Sequence, residues 1–451
     1  MAKKKGSYGC TSCGATSARW AGRCTGCGAM NTMVELTRSE AELVETKRDL
    51  QRAAAGLQTE SLSDSDSTPV DRMPSGLGEC DRVLGGGLPA GAAIVIGGEP
   101  GIGKSTLLAQ IGGSLARTEA VLYITAEEAT AQVRARCKRL GVDGTRMRLA
   151  ATSDGEAITG AIASGDHRLV IVDSIQLTAL GSVDGIAGSI SQVRACATAF
   201  VEAAKRSGTT LVMVGHVTKG GELAGPRLLE HLVDTVLSFE GDRYQDLRSL
   251  RAIKNRYGAT QEIGLFTMGQ QGLEEVQDPG GLFIAGREAS VPGSCVVPAL
   301  EGNRCLLVEV QALVNPTDYP QPQRRVAGCD PNRVAMVVAV LSRRLRMPLG
   351  NCDVFVNVTA GARITEPSAD IGIALAIASA WRDLALPTDM VALGEIGLGG
   401  ELRPASRYEL RAAEARRLGF KRLLGPGAGE GRGRIKARTV AEAIEAVLGT
   451  E

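Results

Sequence analysis

The sequence holds only three histidines, His167, His216 and His231. None follows residue 231, so the C-terminal part of the chain has no imidazole to serve as a general base. An excess of charge of either sign is also missing, with 51 basic against 50 acidic side chains. Any nucleic-acid surface must then be local, a loop or the lining of a channel. No apolar run reaches the length of a membrane helix, because Gly or charged residues break the longer ones. The basic start, MAKKKGSYGC, leads into no apolar signal core. These absences point to a cytoplasmic protein without a membrane partner.

What is present suggests several domains. A chain of 451 residues is too long for one ordinary core, and 44% hydrophobic with 22% charged residues is a globular balance. Of the eleven cysteines, Cys10, Cys13, Cys24 and Cys27 cluster as C-x2-C, ten residues, C-x2-C. Two such knuckles can set four thiolates around one zinc ion, with glycines giving the tight turns. The competing reading is a redox pair, but four Cys with no His nearby favour zinc. The metal would supply the folding energy that so short a segment lacks. Lys3, Lys4, Lys5, Arg19 and Arg23 would suit a polyanion or a solvated basic tail equally well. After a charged, helical-looking stretch, SLSDSDSTP reads as a linker.

From Asp71 the pattern becomes α/β. AAIVIGG, AVLYITA, RLVIVDS and TLVMVGH read as buried strands. STLLAQIGGSLAR and ISQVRACATAFVEAAKRSG read as helices between them, which implies a parallel sheet. Past residue 280 a further α+β or α/β segment begins. Its strands are SCVVPAL, RCLLVEVQALV and DVFVNVT, and its helices PNRVAMVVAVLSRRL, ADIGIALAIASAW and a final AEARRLG helix.

Gly98 to Ser105 reads GEPGIGKS, a full G-x4-G-K-S with a strand leading in and a helix leading out. The expected ATP-binding residues are Gly98, Glu99, Pro100, Gly101, Ile102, Gly103, Lys104, Ser105 and Thr106. The loop's amides would close around the phosphates. Lys104 would bridge the β- and γ-phosphates, and the Ser105 hydroxyl would ligate Mg2+. Asp173, ending RLVIVDS, fits the second magnesium-site residue. Glu127, past the strand in AVLYITAEEA, is placed to polarise an attacking water. Glu128 reads instead as an acid complementing a helix N-terminus. His216 and Lys219, in LVMVGHVTKGG, are sensor candidates, and a solvent-facing strand end explains His216 equally well.

In order, the four-Cys segment, SGLGECDRVLGGGLPAG, GEPGIGKST, GHVTKGG, GPRLLEHLVDTVLSFEG and LRAIKNRYGAT resemble the bacterial RadA (Sms) DNA-repair ATPases over nearly the whole chain. The resemblance implies a zinc module over 1–36, a linker over 37–70, a RecA-like P-loop ATPase core over 71–272 and a Lon-protease-like α/β domain over 280–451. It implies ATP, Mg2+ and Zn2+ as cofactors. It implies a ring, a homo-hexamer, with ATP between subunits and single-stranded DNA in the channel, driving branch migration of branched recombination intermediates in DNA repair. The family's K-N-R-F-G stands here as Lys254, Asn255, Arg256, Tyr257 and Gly258. Lys254 and Arg256 suit phosphate, either the DNA backbone or a neighbouring subunit's γ-phosphate. Tyr257 replaces Phe, and Met30 stands where the family has Trp.

GARITEPSADIGIALAIASA resembles the Lon peptidase motif around its nucleophilic serine, here Ser368, with Asp370 in place of glycine. Lon-type enzymes activate that serine with a lysine. The resemblance places Glu409 about there, with Arg407 and Arg411 beside it, and the only lysines of this domain are Lys421 and Lys436. Arginine does not deprotonate at neutral pH. Ser368 therefore reads as a helix-capping hydroxyl in a non-proteolytic domain reused for ring assembly and DNA contact. Arginines 324, 325, 343, 344 and 346 are candidates for that surface, or a solvated face. An adaptor that recruits a RecA-type recombinase or a helicase through the zinc module is the alternative to a motor, and an ATP-dependent peptidase is less favoured.

Overall fold

The computed structural model describes residues 7–12, 15–36, 71–142, 144–216, 229–241, 247–284, 286–287, 291–319, 321–427 and 433–449. Cys13, Lys219, Lys3, Lys4, Lys5 and the linker at 37–70 lie outside the described residues. The chain divides into two compact units, Met1–Pro69 and Val70–Glu451.

In the first unit, strand Ser7–Cys10 pairs antiparallel with both Thr16–Ser17 and Met33–Leu36. Among the described residues its apolar core is Cys10, Cys24 and Met33, with Tyr8 and Ala15 against them. So small a core cannot stabilise a fold by burial alone. Met30 is 69% exposed.

The second unit is built on two sheets. Nine strands form the first: β1 (Ala93–Gly98), β2 (Val121–Thr125), β3 (Met147–Ala151), β4 (Leu169–Asp173), β5 (Thr210–His216), β6 (Thr235–Gly241), β7 (Leu247–Asn255), β8 (Ile263–Gly269) and β9 (Gly272–Glu275). Their order is β9-β8-β7-β6-β1-β5-β4-β2-β3. Strands β6 through β3 run parallel, while β7, β8 and β9 extend the sheet antiparallel. The sheet is therefore mixed, where strand-helix alternation predicts a parallel one. Sequence pattern reveals β1, β2, β4 and β5 because they are buried on both faces, whereas β3 has no fully buried residue and goes unread.

Within β1 the side chains divide between two cores. Ile94 and Ile96 face one with helices α1 (Gly78–Leu84) and α2 (Lys104–Leu115). Ala93 and Val95 face the other, with α4 (Gly155–Ala163) and α5 (Ile190–Ser207). Helix α3 (Thr130–Arg139) packs beside α2.

The second sheet comprises β10 (Ser294–Glu301), β11 (Arg304–Pro316), β12 (Arg324–Ala327), β13 (Cys352–Val358), β14 (Met390–Ala392), β15 (Arg422–Leu424) and β16 (Arg434–Ile435), ordered β12-β13-β11-β10-β14-β15-β16. Helices α6 (Pro331–Arg344), α7 (Asp370–Arg382), α8 (Tyr408–Arg417) and α9 (Val440–Leu448) accompany it. Helix α8 takes in most of the AEARRLG stretch, ending at Arg417, but is not the last. Helix α9 follows it, with the Thr439 side chain accepting from the Glu442 amide at 3.2 Å. Ile263 and Leu265 of the first sheet share a core with this second half. Arg304 of β11 meets Glu79 of α1 at 2.5 Å, with both side chains nearly buried.

Candidate active site

The loop at 98–103 joins β1 to α2, and its path depends on glycine. Gly103 stands at φ 118°, in the left-handed region, as the N-cap of α2. A β-carbon there would sit 2.7 Å from the Met268 side chain. Lys104, at the head of α2, is buried. Its ammonium donates to the Gly98 and Glu99 carbonyls at 2.8 and 2.9 Å. Burial pulls its pKa below the ordinary lysine value, and the Asp173 and Glu127 carboxylates oppose that pull.

Sheet register brings the acids together. Strand β2 lies beside β4, with Thr125 opposite Asp173. The Ala126 amide donates to the Asp173 carbonyl at 2.7 Å, so Glu127 leaves the sheet next to Ser174. The Ser174 hydroxyl donates to the Glu127 carboxylate at 2.6 Å. Buried Asp173 accepts from the Tyr123 hydroxyl at 2.6 Å. Burial first, and then the Asp173 carboxylate, hold the Tyr123 phenol well above its usual pKa, so it stays a donor. Glu128 is separate from this group. Its carboxylate is gripped by Arg136 at 2.6 and 2.7 Å, a cross-link to α3. His216 ends β5 paired with Gly98, which places its backbone beside the loop.

Lys254, Asn255 and Arg256 occupy the other end of the sheet. Asn255 pairs with Thr235, which in turn pairs with Ile94 near the start of β1, whereas the phosphate loop follows the end of β1. The β6–β7 ladder carries one extra residue, Ile253, between the Val236–Lys254 and Leu237–Ala252 pairs. Such a bulge re-aims the residues that follow it. The Lys254 ammonium donates to the Glu230 and Val233 carbonyls at 2.5 and 2.9 Å. Arg256 meets buried Asp234 at 3.1 Å, yet its side chain remains 55% exposed. The Tyr257 carbonyl accepts from Arg72 at 2.6 Å, and burial pushes the Tyr257 phenol up.

In the C-terminal half, Ser368 is buried in a short turn, Pro367–Ala369, that runs into α7. The residue capping α7 is Ala369, and no side chain caps that helix, so Ser368 is not the helix cap its position suggests. The residue brought to this turn is Arg411. Wholly buried, it pairs with Glu366 and also donates to the Ser406 carbonyl at 2.9 Å. Glu409, the expected occupant of the lysine position, has its side chain 75% exposed. Lys421 and Lys436 are exposed while Ser368 is buried. Asp370 is buried against Arg333 and accepts from the Ile396 amide at 3.1 Å. Of the basic candidates, Arg324 donates to the Cys352 and Leu349 carbonyls at 2.7 Å each, while 325, 343, 344 and 346 are exposed.

In the first unit the Sγ atoms of Cys10, Cys24 and Cys27 lie within 4.8 Å of one another. Cys10 and Cys27 are 3.8 Å apart, which matches the edge of about 3.8 Å that a tetrahedron with Zn–S bonds of about 2.3 Å requires. The Gly26 amide donates to the Cys24 sulfur at 3.3 Å, as a thiolate ligand accepts. These residues fit zinc.

Sequence reasoning missed Tyr123, Ser174, Arg136 and Asp234. Tyr123 and Ser174 act through strand neighbours distant in sequence, and only the strand order β4-β2 reveals them.

A glycine-rich loop between a central strand and a helix, with buried Lys104 near Asp173 and Glu127, defines a P-loop ATPase. The AAA domain family model matches residues 59–222, and that of the rubredoxin metal binding domain matches 8–35. The DNA repair protein RadA of Halalkalibacterium halodurans is 43% identical, covering 100% of both chains. That of Bacillus subtilis is 42% identical over 100% of both, and that of Pseudomonas aeruginosa 43% over 94% of both. The chain belongs to the RadA family of DNA repair ATPases. The solved KaiC-like protein PH0186 of Pyrococcus horikoshii OT3 matches 46% of this chain and 100% of its own, at 19% identity and a TM-score of 0.39. No helix among the described residues is long and apolar enough to cross a membrane.

Proposed function

We propose that the protein is a DNA-stimulated ATPase that assembles as a hexameric ring on single-stranded DNA and drives branch migration of recombination intermediates. The observation carrying this reading is the position of Lys254 and Arg256. The six-residue strand β1 separates their end of the sheet from the chain's own loop, about 20 Å at ~3.3 Å per residue. Cations so placed serve something other than this chain's own nucleotide, either a neighbour's phosphate or DNA.

Within the site, the loop amides of Gly98–Thr106 hold the phosphates, and Lys104 leaves the Gly98 and Glu99 carbonyls for the β- and γ-phosphates. Glu127, oriented by Ser174, takes the proton of the attacking water. Ser105 and Asp173 would hold magnesium, which when bound neutralises charge developing on the phosphates. Cys10, Cys24 and Cys27, with Cys13, would hold zinc as a structural element. His216, which ends the strand beside the loop, and Lys219 would report the γ-phosphate to the segment after β5.

The buried Arg411–Glu366 pair beside Ser368 supports a non-proteolytic C-terminal domain, because arginine cannot take the serine's proton. The test is ATP-driven movement of a three-stranded DNA junction. Arg256→Ala and Lys254→Ala should abolish movement and leave zinc content unchanged. Movement that persists in both variants would remove the motor role and favour an adaptor acting through the zinc module.

A further inference from the structure

Arg248 lies at the phosphate-loop end of β7, six residues before Lys254 on the same strand. Its guanidinium Nε donates to the carbonyl of Ile102, within the loop itself, at 3.3 Å, and Nη1 donates to the Leu247 carbonyl at 2.9 Å. The approach is close by design of the facing strand. A β-carbon on Gly241 would lie 2.4 Å from Arg248 Cδ, 2.9 Å from the Leu247 carbonyl and 3.0 Å from the Ile102 side chain. Glycine at 241 is therefore what lets the arginine stem pass between β6 and the loop. Gly98 is packed as tightly, since a β-carbon there would sit 2.3 Å from the Phe239 carbonyl of β6.

We propose that Arg248 is a positioning residue for ATP turnover. A peptide whose carbonyl is held on one side presents its amide to the other. By holding the Ile102 carbonyl, Arg248 turns the adjoining amide, that of Gly103, toward the phosphate cradle. Its positive charge also offsets a carbonyl dipole that would repel phosphate oxygens. The contact ties the loop to β7, whose far end carries Lys254 and leads into Arg256. Loop geometry and the position of those cations are thereby linked through one hydrogen-bonded strand. This inference rests on the reading that the loop binds ATP.

The test uses the full chain with Arg248→Met, Arg248→Lys and Gly241→Ala, and Lys104→Ala as the control. Binding of a fluorescent ATP analogue, KM and kcat are measured beside thermal unfolding. Loss of one charge-assisted hydrogen bond predicts a KM for ATP raised about tenfold in Arg248→Met, with kcat changed far less. Arg248→Lys, which keeps the charge, should recover part of that loss. Gly241→Ala, which displaces the stem but keeps the arginine, should raise KM in the same direction. The proposal is overturned if KM stays within twofold in both Arg248→Met and Gly241→Ala, or if lysine rescues nothing and only the unfolding temperature moves. If Lys104→Ala still binds and hydrolyses ATP normally, the ATP-site reading fails instead, which is a distinguishable result.

Discussion

Arg411, buried completely inside the C-terminal half, forms its ion pair with Glu366, two residues before Ser368. A buried pair of this kind is costly to break from one side, because it strands the other charge. Arg411→Ala should lower stability by about 3–5 kcal/mol in urea melts. Ser368→Ala should change stability by less than about 1 kcal/mol and leave ATP hydrolysis intact, since no side chain caps α7. A peptidase activity that disappears in Ser368→Ala would refute this account of the turn.

The same pair predicts an acid limb. Burial pushes the Glu366 carboxyl up, but Arg411 and the Leu300 amide outweigh it and hold the pKa below the usual value. A carboxylate depressed on folding contributes stability fully above its unfolded pKa, about 4.3. That contribution fades as pH falls through the lower folded value. Urea midpoints of the wild type should therefore drop more steeply below about pH 4.3 than those of Glu366→Gln. Equal slopes would contradict the pairing.

Glu127 and Ser174 form a unit in the ATP site. Glu127→Gln should retain ATP binding and lose hydrolysis by about 10²–10⁴-fold, the usual worth of a general base. Ser174→Ala should lower kcat in the same direction but by less, because it only orients the carboxylate. Steady-state kinetics with a separate binding measurement distinguishes the two effects.

The zinc prediction concerns folding more than chemistry. Among the described residues, a core of Cys10, Cys24 and Met33 is too small to hold the four-cysteine segment by burial alone. Cys10→Ser or a strong chelator should remove the metal, measured by elemental analysis, and increase proteolysis within residues 1–36. Basal ATP hydrolysis should remain.

Much of this was legible in the sequence, and the limits have physical causes. The loop, Asp173 and strands β1, β2, β4 and β5 announce themselves because each signal is local: a glycine spacing or a short buried apolar run. Strand β3 and the antiparallel strands β7 to β9 did not, because they are partly exposed, with charged residues mixed among the apolar ones of β7 before its bulge. Helix α9, of nine residues, also went unread. Lys254 and Arg256 were visible as a motif, but their distance from the loop depends on register. Arg411 was outranked by Glu409 because an alignment cannot say which of two residues on a helix faces inward. The structure turns Arg411 inward and leaves Glu409 exposed.

The most direct measurement is ATP hydrolysis by the purified protein, with and without single-stranded DNA, at two salt concentrations. The account predicts stimulation by DNA that weakens at the higher salt, because phosphate contacts release counterions. It also predicts that Arg256→Ala loses the stimulation while keeping basal turnover. Hydrolysis indifferent to DNA at both salts would contradict a motor acting on DNA.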